Sequence, residues 1–483
     1  MLSWTKLSRS TFFLCLFQID SGNAFFPNMS IIRKQQHVLV PSFKYGSSYI
    51  RNEPIRATSA RRLSYRSSID SCPISNVAIV GGGLAGLSTA YHLLELSGDN
   101  KDKFPSGIHI TIFDKALVGE GGASSVAGGL MHPFSPRGKL IHFGLPALDQ
   151  SNHLIQMASK NQLQCILRPH LYRIALKPNS DVQLQNTADK YPNLARWMAK
   201  EKIHSKFAID SLGGLELGGG CKVIHVPSYL KGLWEECEIR ATAQCDTIEW
   251  KLVHQSDKHQ KQKKAEDPSL IAWNDIESMN HYLDQFDTVI LAAGAGIVHD
   301  KLVSEEGDLP AQLVRGQAIE MMLSSADDSG MQHEAFLCGK YISPLPINSV
   351  DGLSQRYIIG ATHEFKDTPL SEEEVVDELK RQTYELAPHL WDNGTTSRLT
   401  TGVRLQSRRG TFGRMPMIGR FTCADNGGIK HHNSWIFTGL SSRGLIYHGL
   451  FGRWLANAVL HDNEEELRER FNDFDWWKTT QRK

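Results

Sequence analysis

The hydrophobic pattern divides the chain into short apolar runs separated by amphipathic or polar stretches. Two of these runs, NVAIV (76–80) and DTVILAAGAG (287–296), are almost continuously apolar, and two more, IHITIFD (108–114) and SWIFTGL (434–440), are apolar-rich and also predict strands. A short continuous run of this kind indicates a strand buried on both faces, as in a parallel sheet. Leu84, Leu87, Tyr91 and Leu94 follow the first run at helical spacing, which predicts a strand–turn–helix unit.

The remaining pattern predicts further helices and strands. We expect helices over 145–165, 190–206, 226–239, 371–388 and 442–460; the fourth begins with Ser371 as an N-cap and three acidic residues in its first turn. Strands are expected at LVRGQAIEM (313–321), YISPLP (341–346) and RYIIGATHE (356–364). The stretch SLGGLELGGG (211–220) is glycine-rich and is predicted to be a flexible turn region.

This alternation predicts an α/β fold in which the nucleotide-binding strands come from the start, middle and end of the chain. We therefore expect a Rossmann-like FAD-binding domain of the glutathione-reductase type, with an inserted α+β substrate domain built on a mixed or antiparallel sheet. The predicted FAD-binding parts are 75–150, 223–300 (with a surface insertion at 255–280) and 401–465. The predicted substrate-domain parts are 151–222 and 301–400, and residues 466–483 are a C-terminal tail.

Composition separates the first 70 residues from the rest. They hold ten Lys and Arg against three acids and are rich in serine, which is typical of an organelle transit peptide or a disordered terminus. We expect a plastid location, with the mitochondrion as the alternative. Because the whole chain carries +1, the rest carries −6, which gives no overall attraction to a polyanion. The eight cysteines form no CxxC pair, no metal-ligand spacing is present, and no later apolar run is long enough to span a bilayer.

Gly81-x-Gly83-x-x-Gly86 lies between the first strand and its helix, the context in which such a pattern predicts a dinucleotide site. Gly81 permits a tight turn, Gly83 leaves room for a pyrophosphate, and Gly86 lets helix and strand pack closely. The helix N-terminus would attract the phosphates. Asp114 ends the second strand, where a carboxylate accepts hydrogen bonds from ribose hydroxyls. These residues fit NAD and FAD equally.

A second small-residue loop, GGASSVAGGLMHP (121–133), follows the second strand and distinguishes an FAD site from an NAD site. An NAD enzyme would continue here into another simple strand–helix unit. Small residues instead allow the backbone to pass against a long, flat cofactor, and Ser124 and Ser125 are placed to bond phosphate or ribityl oxygens. A purely structural role would leave the loop unexplained, so the sequence favours FAD.

Several motifs in order carry a resemblance to a known family. They are GGGLAGLSTA, GGASSVAGGLMHP, VRGQ (314–317), IIGATHE (358–364), GVRLQSRRGTFGRMPMIG (402–419) and TGLSSRGL (438–445). Together they resemble the glycine and D-amino-acid oxidase (DAO) family of flavoproteins over about residues 75–462. Within it, VRGQ, FLCGKYISPLP and SRGL most resemble the FAD oxidase domain of bifunctional tRNA methylaminomethyl-uridine enzymes. The methyltransferase domain of those enzymes is absent from this sequence.

The resemblance implies roles for particular residues. Arg404 matches the family's carboxylate-binding arginine, and Tyr341 matches a tyrosine that lies over the flavin; these are the catalytic candidates. The resemblance and the glycine motifs together give the cofactor-binding set: Gly81, Gly83, Leu84, Ala85, Gly86, Asp114, Lys115, Ala123, Ser124, Ser125, Gly129, Leu130, Ala293, Gly294, Gly439, Ser442, Arg443, Gly444 and Leu445. We expect His363, Glu364 and Arg315 to be structural or supporting, and His132 either to line the flavin or to pack the loop.

Three functions remain open. The first is oxidation of the C–N bond of a small amine or amino acid that carries a carboxylate, by hydride transfer to the flavin N5, with oxygen or an unknown acceptor. The second is oxidation of carboxymethylaminomethyl-uridine in organellar tRNA. The third is a flavin-bound assembly factor without turnover.

Overall fold

The computed structural model describes residues 74–254, 270–273, 275–303, 309–324, 333–347, 354–366, 368–421 and 428–478. All of them belong to one unit, Asp70–Lys483. The predicted targeting segment, 1–70, lies outside the described residues, as does most of the predicted surface insertion at 255–280.

A seven-stranded sheet of the described residues carries the four buried runs predicted from the sequence. Its spatial order is β10-β9-β2-β1-β11-β18-β17, and all neighbouring strands are parallel except the last pair. The bounds are β1 Asn76–Val80, β2 His109–Asp114, β9 Thr247–His254, β10 Leu270–Ala272, β11 Thr288–Leu291, β17 Met417–Arg420 and β18 Ser434–Thr438. Because β1 lies between β2 and β11, the chain reverses its winding there, and ligands bind at such a switch point beyond the carboxyl ends of the strands.

Helices from distant parts of the sequence cover this sheet. Helices α1 (Leu84–Asp99), α2 (Gly144–Ser159), α5 (Val226–Gln244) and α10 (Gly444–Leu460) share one large core with β1 and β2. In α10, Gly449 packs against the backbone of α2 and Gly452 against Ser88 of α1, so the helix is in close contact with both. The shorter helices are α3 Ser180–Lys190, α4 Lys200–Phe207, α6 Ile276–Leu283, α7 Gly296–His299, α8 Glu372–Thr383, α9 Pro388–Asn393 and α11 Glu465–Arg470.

A second sheet of eight strands lies in the segments predicted to bind substrate. Its order is β16-β12-β15-β14-β13-β5-β7-β6, and its strands are antiparallel except for β13 and β5. The bounds are β5 Leu171–Ile174, β6 Ala195–Met198, β7 Gly214–Leu217, β12 Ala311–Ser324, β13 Phe336–Cys338, β14 Lys340–Pro344, β15 Ser354–Gly360 and β16 Thr395–Ser407. A small sheet adds β3 Leu130–Met131, β8 Lys222–Ile224 and β4 Ile166–Arg168. The predicted α/β fold with an inserted mixed-sheet domain is confirmed.

Two local predictions are wrong. The stretch 211–220 contains β7, because residues 214–217 form a ladder with β5 on one side and β6 on the other. Residues 190–206 are not one helix, since β6 interrupts them between α3 and α4. In both cases pairing across the sheet overrides the local preference of the sequence. Strand β16 crosses residue 400, the predicted boundary between the substrate and FAD-binding parts.

Local signals are better predictors where they act within one helix. The Ser371 hydroxyl accepts from the Glu374 N–H at the start of α8, and the Glu374 carboxylate accepts from the Ser371 N–H, which is the capping box that the sequence indicates. In the predicted tail, Trp477 is buried and its indole N–H donates to the Ile418 carbonyl at 3.1 Å.

None of the helices in the described part of the chain is both long and apolar enough to cross a membrane.

Candidate active site

A cavity of about 840 Å³ is lined by residues from both large sheets. The glycine-rich turn after β1 lines one part, together with the ends of β2 and β11, and β14, β16 and the start of α10 line another. Asp114 is the only carboxylate among the described residues that line it. The basic lining residues include Arg173, Lys340, Arg404, Arg409, Arg414 and Arg443.

The turn between β1 and α1 has the geometry that the glycine motif predicts. Gly81 has φ +105°, and a Cβ there would lie 2.5 Å from the Ala293 Cα, so only glycine fits. A Cβ on Gly86 would lie 1.8 Å from the Gly81 carbonyl oxygen, which explains the close approach of α1. Gly83 is the N-cap of α1 and has no side chain to cap the helix, while the Leu84 N–H lies 3.5 Å from the Ser124 Oγ. The N–H groups that follow Leu84 in the first turn are available to an anion in the cavity.

The Asp114 carboxylate lies beside this turn. It accepts hydrogen bonds from the backbone N–H groups of Gly82, at 2.7 Å, and Ala116, at 2.9 Å. Burial raises the pKa of Asp114, while these backbone donors oppose that shift. Each carboxylate oxygen has further lone pairs for an acceptor role toward a ligand hydroxyl. The position fits the predicted contact with a ribose.

The loop over 121–133 has a structural as well as a ligand-related reason for its small residues. A Cβ on Gly128 would lie 2.3 Å from the Tyr341 ring, and a Cβ on Gly129, which has φ +76°, would lie 1.9 Å from the Ile224 carbonyl oxygen. On the facing strand, a Cβ on Gly402 would lie 2.6 Å from Val126. The loop therefore packs tightly between Tyr341 and β16, so our expectation that a structural role would leave it unexplained is wrong.

Ser124 is the loop residue placed toward the dinucleotide turn. Its Oγ lies 3.5 Å from the Leu84 backbone N–H and 3.2 Å from the position of a Cβ on Gly83. A hydroxyl at a helix N-terminus adds a donor for a phosphate oxygen. Ser125 differs from it, because its hydroxyl donates back to the Gly122 carbonyl at 3.0 Å.

Arg404 and Tyr341 both line the cavity on the side of the second sheet. Arg404 donates from Nη2 to the His363 Nδ1 at 2.9 Å, and its Nε is buried without a hydrogen-bond partner among the described residues. Burial raises the pKa of Tyr341 to about 12, with Arg404 opposing the shift, so the phenol stays protonated at neutral pH. A half-buried guanidinium that lines the cavity beside a phenol is suited to bind a carboxylate.

The start of α10 completes this end of the cavity. Gly439, with φ +70°, directly follows β18, and Ser442, Arg443, Gly444 and Leu445 line the wall. No side chain caps the helix, whose N-cap is Arg443. Its free N–H groups and positive dipole end favour negative charge in the adjoining space.

Most of the predicted site residues share this cavity. Those that line it are Gly81, Gly83, Leu84, Ala85, Asp114, Ala123, Ser124, Gly129, Leu130, Ala293, Gly294, Tyr341, Arg404, Gly439, Ser442, Arg443, Gly444 and Leu445. Gly86, Lys115 and Ser125 do not: Gly86 supports the helix, and Lys115 forms an ion pair with Asp300 at 2.5 Å. The functional roles of all these residues stay predictions.

Sequence reasoning missed several lining residues, among them Arg409 and Arg414. His363, expected in a structural or supporting role, lines the cavity and accepts the hydrogen bond from Arg404. Arg173 donates to the carbonyls of Ser135 and Pro136, which holds the chain just after the second small-residue loop. The basic run SRRGTFGR (407–414) is a visible signal, but only the tertiary structure turns it toward the cavity.

His132 also lines the cavity, as one of our two expectations has it. Burial lowers its pKa to about 3, and the charges of Arg173 and Arg443 add to the shift. The ring is therefore neutral at physiological pH, with Nδ1 accepting from the Phe134 N–H at 3.2 Å. Glu364 and Arg315 form an ion pair at 3.8 Å and exchange backbone hydrogen bonds, which fits the supporting role expected of them.

The His363–Arg404 hydrogen bond predicts a pH effect. Burial, and then the charges of Arg404 and Lys340, lower the pKa of His363, so its ring is neutral at pH 7 and accepts from Arg404. Below that lowered pKa, protonation removes the acceptor and adds a like charge. We expect the KM for a carboxylated substrate to rise on acidification, and H363A to raise it about three- to tenfold at pH 7.

The control for this prediction is H363Q, whose side-chain oxygen is still able to accept from Arg404. Steady-state kinetics from pH 5 to 8 should show near wild-type KM at pH 7 for H363Q, with no rise of KM on the acidic side. An acidic limb that persists in H363Q would assign the titration to another group.

The family of this chain follows from comparison with known proteins. Residues 76–458 match the profile of the family described as FAD dependent oxidoreductase (DAO), so the chain belongs to that family and FAD is its cofactor. A sequence relative is the tRNA 5-methylaminomethyl-2-thiouridine biosynthesis bifunctional protein of Marinobacter nauticus, 28% identical over 177 residues. That match covers 35% of this chain and only 25% of the bifunctional protein.

Solved structures share the fold. Glycine oxidase from Geobacillus kaustophilus aligns with a TM-score of 0.54 at 17% identity, covering 81% of this chain and 96% of its own. Iminodiacetate oxidase from a Chelativorans species aligns with a TM-score of 0.53 at 16% identity, covering 80% and 95%. At these identities the likeness establishes the architecture.

The observed residues fit FAD. Uncapped N–H groups of α1 and Ser124 suit the diphosphate, and Asp114 suits a ribose. The cavity continues from there to Tyr341 and the N-terminus of α10, where a flavin ring would reach. An extended dinucleotide therefore has donors and acceptors along the whole length of the cavity.

Proposed function

We propose that this FAD-dependent oxidoreductase oxidises the C–N bond of a small amine or amino acid that carries a carboxylate. The observation that carries the proposal is Arg404, whose guanidinium lines the cavity and donates to the neutral His363 ring rather than to a carboxylate. Its charge is therefore not balanced by an acid among the described residues of the cavity wall at this end, and a substrate carboxylate would balance it and accept from the guanidinium N–H groups. The names of two structural neighbours, a glycine oxidase and an iminodiacetate oxidase, agree with this class.

The chain's own groups would position the substrate. FAD, when bound, supplies the two-electron acceptor for the hydride that leaves the carbon next to nitrogen. Arg404 would hold the carboxylate, while His363 fixes the guanidinium from the other side. The Tyr341 hydroxyl, which stays protonated, would donate to or accept from the bound amine rather than act as a base. The imine left behind reacts with water to give a carbonyl compound and an amine.

The experiment mixes FAD-loaded protein without oxygen with glycine, sarcosine, D-alanine or iminodiacetate and follows the flavin absorbance. We expect at least one of these to bleach the flavin. Dimethylamine, which is sarcosine without its carboxylate, is the matched control and should react at least a hundredfold more slowly. Bleaching by none of the carboxylated amines would contradict the proposal, and if tRNA carrying carboxymethylaminomethyl-uridine also fails to bleach the flavin, the result favours a flavin-bound assembly role without turnover.

A second candidate is oxidation of the carboxymethylaminomethyl group of a uridine in organellar tRNA. The exposed Arg409 and the neighbouring Arg414 on the cavity wall favour it, because phosphodiesters require basic contacts. The relative from Marinobacter nauticus has a tRNA-modifying function by name. Flavin bleaching by tRNA with that group, and by none of the small amines, would select this candidate.

We propose a plastid location, with the mitochondrion as the alternative. The serine-rich, basic first 70 residues support it. A fluorescent fusion of these residues should enter plastids, and the same fusion lacking them should not.

A further inference from the structure

Two arginines on the cavity wall, Arg409 and Arg414, have no role in the oxidation of a small amine with one carboxylate. We call them the arginine pair. Neither lies within ion-pair distance of a carboxylate in the described part of the chain, whereas nearby Lys340 is 2.9 Å from Glu378. The cavity thus has more positive charge at this end than one substrate carboxylate on Arg404 would balance.

The arginine pair flanks a tight backbone turn. Gly410 and Gly413 exchange hydrogen bonds at 2.8 and 3.0 Å and close this turn, GTFG. Residues 409 and 414 come directly before and after it, so their backbones lie close together. Arg414 is fixed further by donation from Nη1 to the Ser407 carbonyl at 2.6 Å.

The pKa of Arg414 reflects this setting. Burial lowers it, and the positive charges of Arg409 and Arg443 lower it further. Arg414 in turn lowers the pKa of Arg404. The repulsion within this group has no compensating acid among the described lining residues at this end, since Asp114 lies beside the Gly81–Gly86 turn. An anionic ligand would remove the repulsion and accept bidentate hydrogen bonds.

We propose that the arginine pair binds a second carboxylate of the substrate, carried on the other arm of the amine nitrogen. The substrate would then be a dicarboxylic secondary amine, with one carboxylate on Arg404 and the other on Arg409 and Arg414. This inference rests on the proposed function, because it deepens the substrate class of the same site. The diphosphate of FAD is not the anion in question, since its predicted donors, α1 and Ser124, lie at the other end of the cavity.

A binding experiment tests the inference without turnover. Methoxyacetate and oxydiacetate have an ether oxygen in place of the amine nitrogen, and oxydiacetate carries one carboxylate more. The binding of each is measured by the change it causes in the flavin spectrum of the FAD-loaded protein. We expect oxydiacetate to bind at least tenfold more tightly than methoxyacetate. In R409Q/R414Q the preference should disappear while methoxyacetate affinity changes less than threefold. R409Q alone, at an exposed position, should lose part of the preference without endangering the fold.

The matched control is R408Q, because Arg408 is exposed, adjacent in sequence and absent from the cavity wall; it should keep the preference. Equal affinity of wild-type protein for the two ethers would overturn the inference. The inference would also be overturned if a uridine-rich RNA oligonucleotide displaced methoxyacetate while the protein showed no preference for oxydiacetate. That result would assign the arginine pair to binding a polynucleotide. If every amine failed to bleach the flavin, the proposed function would be refuted. That outcome is distinguishable from failure of this inference, because bleaching measures turnover and the ethers measure binding alone.

Discussion

Replacing Arg404 with alanine should lower kcat/KM for a carboxylated amine by roughly a hundredfold, or about 3 kcal/mol. The expected loss is large because the Arg404 guanidinium lines the cavity, and without it the substrate carboxylate would lose a charged, two-point contact. R404K should recover only a small part of the activity, since an ammonium does not reproduce the planar fork. FAD content and thermal stability of the purified variants establish that the effect is local.

The matched control for Arg404 is R408A, four residues further along the chain and exposed. It should retain kcat/KM within a factor of two. An unchanged KM and kcat in R404A, with FAD bound normally, would remove Arg404 from substrate binding.

The second large effect is expected at the dinucleotide turn. Gly83→Val should raise the dissociation constant of FAD by at least a hundredfold, because its side chain would project from the N-terminus of α1 toward the space predicted for the diphosphate. The backbone of Gly83 is extended, with φ −76° and ψ −161°, so the substitution meets no positive-φ strain, and a Cβ there would have only Ser124 within 4 Å. Apoprotein titrated with FAD and followed by fluorescence quenching measures the change.

Gly218→Val is the control for this substitution. A Cβ at Gly218 has no neighbour within 4 Å, and Gly218 does not line the cavity, so FAD affinity should be unchanged. Wild-type FAD affinity in Gly83→Val would contradict the placement of the diphosphate at the start of α1.

The parts of the fold that sequence predicts well are those whose cause is local. The buried runs that form β1, β2, β11 and β18 are visible because both faces of a parallel sheet are covered. The glycine motif is informative because strand and helix adjoin it on either side. By contrast, β7 escapes prediction, since its formation depends on pairing with β5 and β6, which precede it along the chain and are separated from it by helices.

In the candidate site, too, the residues are predictable from sequence motifs but their contacts are not. Motifs identify Arg404 and Tyr341, yet the contact between Arg404 and His363 depends on the relative positions of β16 and the segment after β15, which no spacing encodes. The small residues of 121–133 indicate a cofactor surface in the sequence, whereas their packing against Tyr341 is visible only once β14 lies beside the loop. The arginine pair is recognisable as a pair only through the Gly410–Gly413 turn.

The most direct test of the account titrates the oxidised, FAD-loaded protein with methoxyacetate, a carboxylate that cannot be oxidised as an amine. Binding beside the flavin should perturb the visible spectrum of the wild-type protein with saturation. The R404A variant should show the same unliganded flavin spectrum and at least a fiftyfold weaker response. A wild-type spectrum that does not change, or an identical titration in R404A, would contradict a carboxylate site formed by Arg404 at the flavin.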